Sequence, residues 1–243
     1  MDVFDQVLEA TAVDYRQHIV ENPLFRRVAA GRATRDQYAV YLRETYHLVR
    51  HTSRALARGA SRLDDRRRVL RAWLLEQANE EHGHELFCLK DLQSLGLAPE
   101  IVTASRPGAG AWGVVTQNYY FASEGNPVAL LGVASATEGM GAELAGELVS
   151  VLTEHYGIPS AATTFLRSHA GFDQRHFALV QRAINALDSD EDRAWVIHGR
   201  RMTFVYYGHL FREVAFSTAR FFDARSHALP VALSLAESGA SHA

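Results

Sequence analysis

The chain has 243 residues, 47% hydrophobic and 22% charged, a balance that allows a sizeable core in one globular protein. Its net charge of −3 gives no basis for binding nucleic acid or an anionic membrane. Cys88 is the single cysteine, so an intrachain disulfide is excluded, as suits a reducing cytoplasm.

The acidic start Met1–Asp5 lacks the basic residues and apolar run of a signal peptide, and Pro127–Thr137 is too short to span a bilayer. A cytoplasmic, non-membrane protein is expected. Strand-like alternation is nearly absent, so the fold class is all-α. Val3, Phe4, Val7, Leu8 and Ala12 form the first helical stripe, which runs to about Glu21 before Asn22-Pro23 breaks it. A loop through Gly31 follows. Thr34 to Gln37 reads as a capping box opening a helix whose inner face is Gln37, Tyr41, Glu44, Leu48, His51 and Ala55. A third helix is expected from Asp64-Asp65 to Leu95, with Leu70, Trp73, Gln77, Glu81, His84 and Cys88 on its inner side. After a loop over 96–110, a shorter helix carries Trp112, Val115, Tyr119 and Phe121. Asn126-Pro127 opens the next, reading Leu131, Ala134, Glu138, Ala142, Ala145, Val149 and Leu152. Its small residues, Gly139, Gly141, Ala142, Ala145 and Gly146, predict close approach of a neighbouring helix. Gly157 to Ser160 breaks the chain again before a helix holding Ser168–Phe177. Ser189 caps a last, bulky helix containing Trp195, Met202, Tyr206 and Phe211. Residues 1–224 are read as a single helical metal-binding domain and 225–243 as a flexible tail.

His169, Asp173 and His176 lie at i, i+4 and i+7, on one helical face otherwise made of Phe165, Leu166, Val180 and Ile184. Imidazoles and a carboxylate aimed into a core are costly unless they pair or bind a cation. Three further acids share this placement: Glu44, Glu81 with His84 three residues on, and Glu138. Glu44 precedes Glu81 by 37 residues and Glu138 precedes Asp173 by 35, a rough internal repeat. A lone acid from each of two helices and an acid-x-x-His from each of two others is the arrangement of carboxylate-bridged di-metal bundles. Carboxylates bridge and neutralise two divalent cations, and imidazoles favour iron or manganese over calcium. A hydrogen-bonded polar core is the competing reading, although it has no need of four buried acids. His51, two turns past Glu44, is placed to support the site through hydrogen bonds. Cys88 reads as a packed thiol, since nothing nearby would lower its pKa.

Asn22-Pro23-Leu24-Phe25, Gly31-Arg32-Ala33-Thr34, Gln37-Tyr38, Tyr41-Leu42 and Tyr46-His47 resemble the opening of haem-oxygenase-like bundles, the group that includes thiaminase II and pyrroloquinoline-quinone synthase. With Glu44, Glu81, His84, Glu138 and His169-x-x-x-Asp173-x-x-His176 added, residues 10–220 are similar to the haem-oxygenase-like di-iron oxidases. The resemblance implies a seven-helix bundle that binds two Fe(II), with Mn as an alternative, and uses O2 to oxidise or cleave a small organic substrate. Such enzymes act on fatty acids, amino acids or amines, in specialised biosynthesis. By that likeness Glu81, His84 and His176 serve one iron, His169 and Glu44 the other, and Glu138 and Asp173 bridge or cap. Where several members carry a histidine seven residues after the glutamate, this chain has Cys88. Tyr119, Met202, Tyr206 and Phe211 are expected to wall the substrate pocket, and Arg200 or Arg201 to anchor a substrate carboxylate if not simply at the surface. An external electron donor and a homodimer are left open. A ferritin-like storage bundle and a metal-free enzyme of thiaminase or quinone-synthase type are the alternatives.

Overall fold

A computed structural model of the protein describes residues 1–222, without the side chains of 172–175. The predicted tail over 225–243 and the side chain of Asp173 therefore lie outside the described residues. Among those residues the regular structure is helical throughout, in eleven α-helices. In chain order they are α1 (Val3–Tyr15), α2 (Pro23–Ala29), α3 (Arg35–Val49), α4 (Thr52–Ser61), α5 (Arg68–Glu80), α6 (Glu85–Ser94), α7 (Pro99–Thr103), α8 (Ala109–Ser123), α9 (Ala129–Glu154), α10 (Thr164–Asn185) and α11 (Asp190–Ala215).

The count exceeds seven because several predicted elements are interrupted or joined by short helices. Asn22-Pro23 does end the first helix, whose last turn, Arg16–Val20, is a π-turn, but it also starts α2. Asn22 Oδ1 accepts the Leu24 N–H at 3.1 Å and Pro23 occupies the first turn, where its missing N–H costs nothing. The predicted loop to Gly31 is thus largely helix. The Thr34 capping box forms in both directions at 3.1 Å, and Ser189 accepts the Asp192 N–H to start α11. The predicted second helix breaks at Arg50-His51. The third breaks at 81–84, where Gly83 takes φ +90, a conformation that only glycine adopts cheaply.

That break lets α5 pack on α4 while α6 packs on α3 and α10. The long helix α9 lies against both α10 and α11. One apolar cluster gathers Leu42, Leu92, Met140, Phe165 and Phe204, and a second gathers Phe4, Trp73, Leu131, Val133, Val180 and Ile184. Glu138, in the first half of α9, lies in sequence between Val133 of one cluster and Met140 of the other.

Close helix approach does occur on α9, most tightly through Gly132 against α11. A methyl group at 132 would overlap the Val196 carbonyl oxygen of α11, and one at 199 would overlap that of Ala129. Among the described residues a methyl at Gly146 meets nothing within 4 Å, and one at Gly139 comes within 3.1 Å of the Phe177 ring of α10.

Candidate metal centre

Three elements contribute to one cluster of donors. The 81–84 turn brings Glu81 and His84, α9 brings Glu138, and α10 brings His169 and His176. Glu81, His84 and His169 form one group whose ligand-capable atoms lie within 4.8 Å of one another; Glu81, Glu138 and His176 form a second. Glu81 belongs to both. Nδ1 of His84 is 3.3 Å from Glu81 Oε2, and Nδ1 of His176 is 3.5 Å from Glu138 Oε2. The His84 and His169 rings meet edge to face, 5.3 Å between centroids. Because Gly83 reverses the backbone, Glu81 and His84 reach the cluster from a turn, not from one face of a continuous helix.

The electrostatics follow from burial and pairing. The hydrogen bond to Glu81 raises the His84 pKa, outweighing burial, and Glu138 does the same for His176. Burial pushes Glu81 upward, yet the hydrogen bond from His84 and the fields of His84, His169 and His176 hold it below the usual carboxylate range. Burial lowers His169, whose Nδ1–H donates to the Phe165 carbonyl at 2.8 Å. A carbonyl only accepts, so the neutral His169 ring keeps its lone pair on Nε2, the nitrogen able to bind a cation. The carboxylates thus favour protonation of His84 and His176, and a divalent cation binding here would compete with those protons. Two mixed oxygen–nitrogen donor sets sharing a carboxylate fit a pair of first-row divalent metals such as iron, and fit poorly to calcium, which takes oxygen donors throughout.

Glu44 is not in either group. It is 1% exposed, but its Oε2 accepts the Gly108 N–H at 2.6 Å, at the start of α8, and its Oε1 accepts from Arg43. Glu44 does point inward from α3, where the α8 N-terminus, with N–H groups that have no partner within the helix, captures its carboxylate. His51 starts α4 and places Nδ1 3.1 Å from the Tyr119 hydroxyl. Cys88 is fully buried, and burial pushes its thiol well up, as expected of a packed side chain.

A cavity of about 210 Å³ borders the cluster, with Glu81, Glu138 and His169 in its wall. Most of its remaining lining is apolar, and it follows α9 from Leu130 to Leu152, so Glu138 faces its middle. Of the expected pocket residues, Phe211 lines it, whereas Tyr119, Met202, Tyr206, Arg200 and Arg201 do not. Tyr206 instead covers Gly113 of α8, and Tyr207 is the tyrosine of α11 that reaches the cavity. Arg200 is buried, donating to Thr11 Oγ1 at 3.1 Å and to the carbonyl and hydroxyl of Ser135. Burial pulls its pKa down to about 10, which leaves it cationic at neutral pH. Arg201 pairs with Asp14 at 2.9 Å near the surface. Arg35 is the arginine that borders the cavity, and its guanidinium donates to the Leu95 carbonyl at 2.9 Å and lies over the Phe222 ring.

Asp91 was missed. It lies on α6, is 0% exposed, and accepts the Thr164 and Phe165 N–H groups at 2.8 Å each, capping the helix that carries His169. Its sequence signal is an acid spaced with Cys88 and Leu92 on the buried side of α6. Burial raises its pKa despite these bonds. A carboxyl raised in the folded state favours folding below its unfolded pKa, and that contribution is lost as pH rises through the folded value. Asp91→Asn, which keeps an acceptor without the charge, is therefore expected to be milder than Asp91→Ala. The alanine variant should lose about 1–3 kcal/mol in denaturant unfolding. Equal losses in both variants would mean that the cap contributes little.

Residues 39–208 match the family described as iron-containing redox enzyme, more than half of the chain. The chain belongs to that family. All seven expected ligand positions of this iron-containing redox enzyme, Glu44 to His176, fall inside the matched segment. A 4-aminobenzoate synthase from Chlamydia muridarum is 22% identical over 213 residues, 86% of this chain and 89% of the relative. Among solved structures, a domain of unknown function with a haem-oxygenase-like fold from Shewanella denitrificans superposes with a TM-score of 0.80 at 23% identity, covering 88% of this chain and 92% of that one. A TenA homologue from Pseudomonas syringae pv. tomato gives 0.72 at 15%, covering 87% and 91%. These likenesses show a haem-oxygenase-like fold. Among the described residues no helix is long and apolar enough to cross a membrane.

Proposed function

We propose that the protein is a non-haem di-iron oxidase or oxygenase that uses O2 to oxidise or cleave a small organic substrate. The observation that carries this reading is the pair of donor groups sharing Glu81 at the wall of a largely apolar cavity. Glu81, His84 and His169 would hold one iron, and Glu81, Glu138 and His176 the other; Asp173 is retained as a ligand from its spacing alone. This division differs from the one the sequence resemblance implies, because Glu81 would serve both metals and Glu44 belongs to neither donor group among the described residues. When bound, the two Fe(II) ions supply electrons and open positions for O2.

The chain's own residues hold the metals, exclude water and orient the substrate. Val133, Met140 and Phe211 bound the cavity near and beyond the cluster, so an apolar substrate body is favoured there over bulk water. The name of the relative from Chlamydia muridarum, 4-aminobenzoate synthase, specifies an aromatic amino-carboxylate product and so supports a carboxylated substrate class here. Such a carboxylate would meet Arg35 in the cavity wall. An external electron donor is required wherever the substrate supplies fewer electrons than O2 reduction takes.

Protein loaded anaerobically with Fe(II) and mixed with O2 should consume O2 and give an optical transient whose decay quickens with the true substrate. A chelator, or Glu138→Ala, should abolish both signals. Substrate turnover that survives chelation would overturn the reading.

A further inference from the structure

Glu80, beside Glu81 at the end of α5, is used by neither donor group, yet it touches a member of one of them. Its Oε2 lies 2.9 Å from His176 Nε2, while the other ring nitrogen of His176 lies 3.5 Å from Glu138 Oε2. The same Glu80 oxygen accepts from Gln77 Nε2 at 3.1 Å, and Gln77 is 3% exposed. The imidazole is thus held between two carboxylates on opposite edges of its ring. One edge faces Glu138 and Glu81; the other faces Glu80, which Gln77 holds in turn.

A carboxylate accepts and does not donate when ionised, so Glu80 takes the Nε2 hydrogen of His176. The neutral ring has one hydrogen for two carboxylates, and the shorter 2.9 Å contact to Glu80 claims it over the 3.5 Å contact to Glu138, putting the lone pair on Nδ1, toward Glu138. Carboxylates placed this way behind a metal-binding histidine set ring orientation and increase its basicity, and losing one typically lowers metal affinity about 10–100-fold. Resting on the di-metal reading above, we propose that Glu80 is a positioning residue of the metal centre, committing Nδ1 of His176 to the group it forms with Glu81 and Glu138. Sequence spacing could not show this, because Glu80 lies one residue off the inner stripe of α5. Only the packing of α10 against the end of α5 makes it a partner of His176.

The test uses two readouts on the full chain. The first needs no metal: nitrogen-15 NMR of His176 at alkaline pH, where the ring is neutral. The native protein should show the Nε2–H tautomer, and Glu80→Ala should lose that preference, while Glu80→Gln, which still accepts a hydrogen bond, should keep it. The second is Mn(II) titration followed by EPR. Glu80→Ala should weaken one of two sites by about 10–100-fold and leave the other unchanged, with Glu80→Gln in between. An Nδ1–H tautomer in the native protein, or one unmoved by Glu80→Ala, would overturn the proposal. Native Mn(II) affinity at both sites in Glu80→Ala would do so as well. A native chain that binds no Mn(II) or Fe(II) at all, but shows the expected tautomer change, would instead sink the di-metal reading while leaving the Glu80–His176 contact standing.

Discussion

Glu81→Ala is expected to strip both irons from the protein, whereas His84→Ala and His176→Ala should each remove one. The reason is that Glu81 alone among the described donors belongs to both groups. Its loss takes an oxygen donor from each metal and leaves the imidazoles and Glu138 to hold two cations. Metal analysis after anaerobic loading and desalting should fall from about two irons per chain to near zero in Glu81→Ala, and to about one in each histidine variant, as the shared ligation implies. The fold should survive, because Glu81 sits at a helix end beside Gly83 and not within either apolar cluster. Circular dichroism would check that. A Glu81→Ala protein that keeps one tightly held iron would show that the two groups do not share this carboxylate.

The largest loss of stability is expected from Gly132→Ala. A methyl at this position overlaps the Val196 carbonyl oxygen and comes within 2.8 Å of the Arg200 nitrogen, both backbone atoms of α11. Neither can rotate away, so the helices must separate along their contact. Overpacking of a core usually costs about 1–3 kcal/mol, and a clash with rigid backbone belongs at or above the top of that range. For a chain of this size that means a Tm lower by roughly 10 °C. The gain in helix propensity, at most about 1 kcal/mol, is too small to offset it. Gly146→Ala on the same helix meets nothing and should be neutral or slightly stabilising. Similar melting curves for the two variants would contradict the close α9–α11 packing. Because Glu138 lies further along α9, Gly132→Ala should also lower iron retention in the protein that remains folded.

Much of the fold was legible locally. The capping signals at Thr34 and Ser189, the breaks at Asn22-Pro23 and Gly157, and the apolar stripes all depend on near neighbours in sequence, where propensity and periodicity act. The donors on stripes were legible for the same reason: His169 and His176 on α10 and Glu138 on α9 reach the cluster from the faces their spacing assigns. What the sequence could not show depended on contacts between distant segments. Glu44 was on the inner face, but whether it met a metal or the α8 N-terminus was decided by a loop 64 residues away. Asp91 became important only because the start of α10 settles over it. Arg200, read as a surface residue or substrate anchor, is spent inside the bundle on Thr11 and Ser135. Gly83 was visible, but the Glu-x-x-His spacing suggested a continuous helix and hid its meaning.

The most direct test of the central claim is an iron count on the native chain. Apo-protein is loaded anaerobically with excess Fe(II), desalted, and analysed for iron and by Mössbauer spectroscopy, with and without candidate substrates. The shared-carboxylate centre predicts about two high-spin ferrous ions per chain, each with mixed oxygen and nitrogen ligation, at least when substrate is present. A chain that retains no iron under any of these conditions would contradict it, leaving Glu81, Glu138 and their histidines as a hydrogen-bonded polar core.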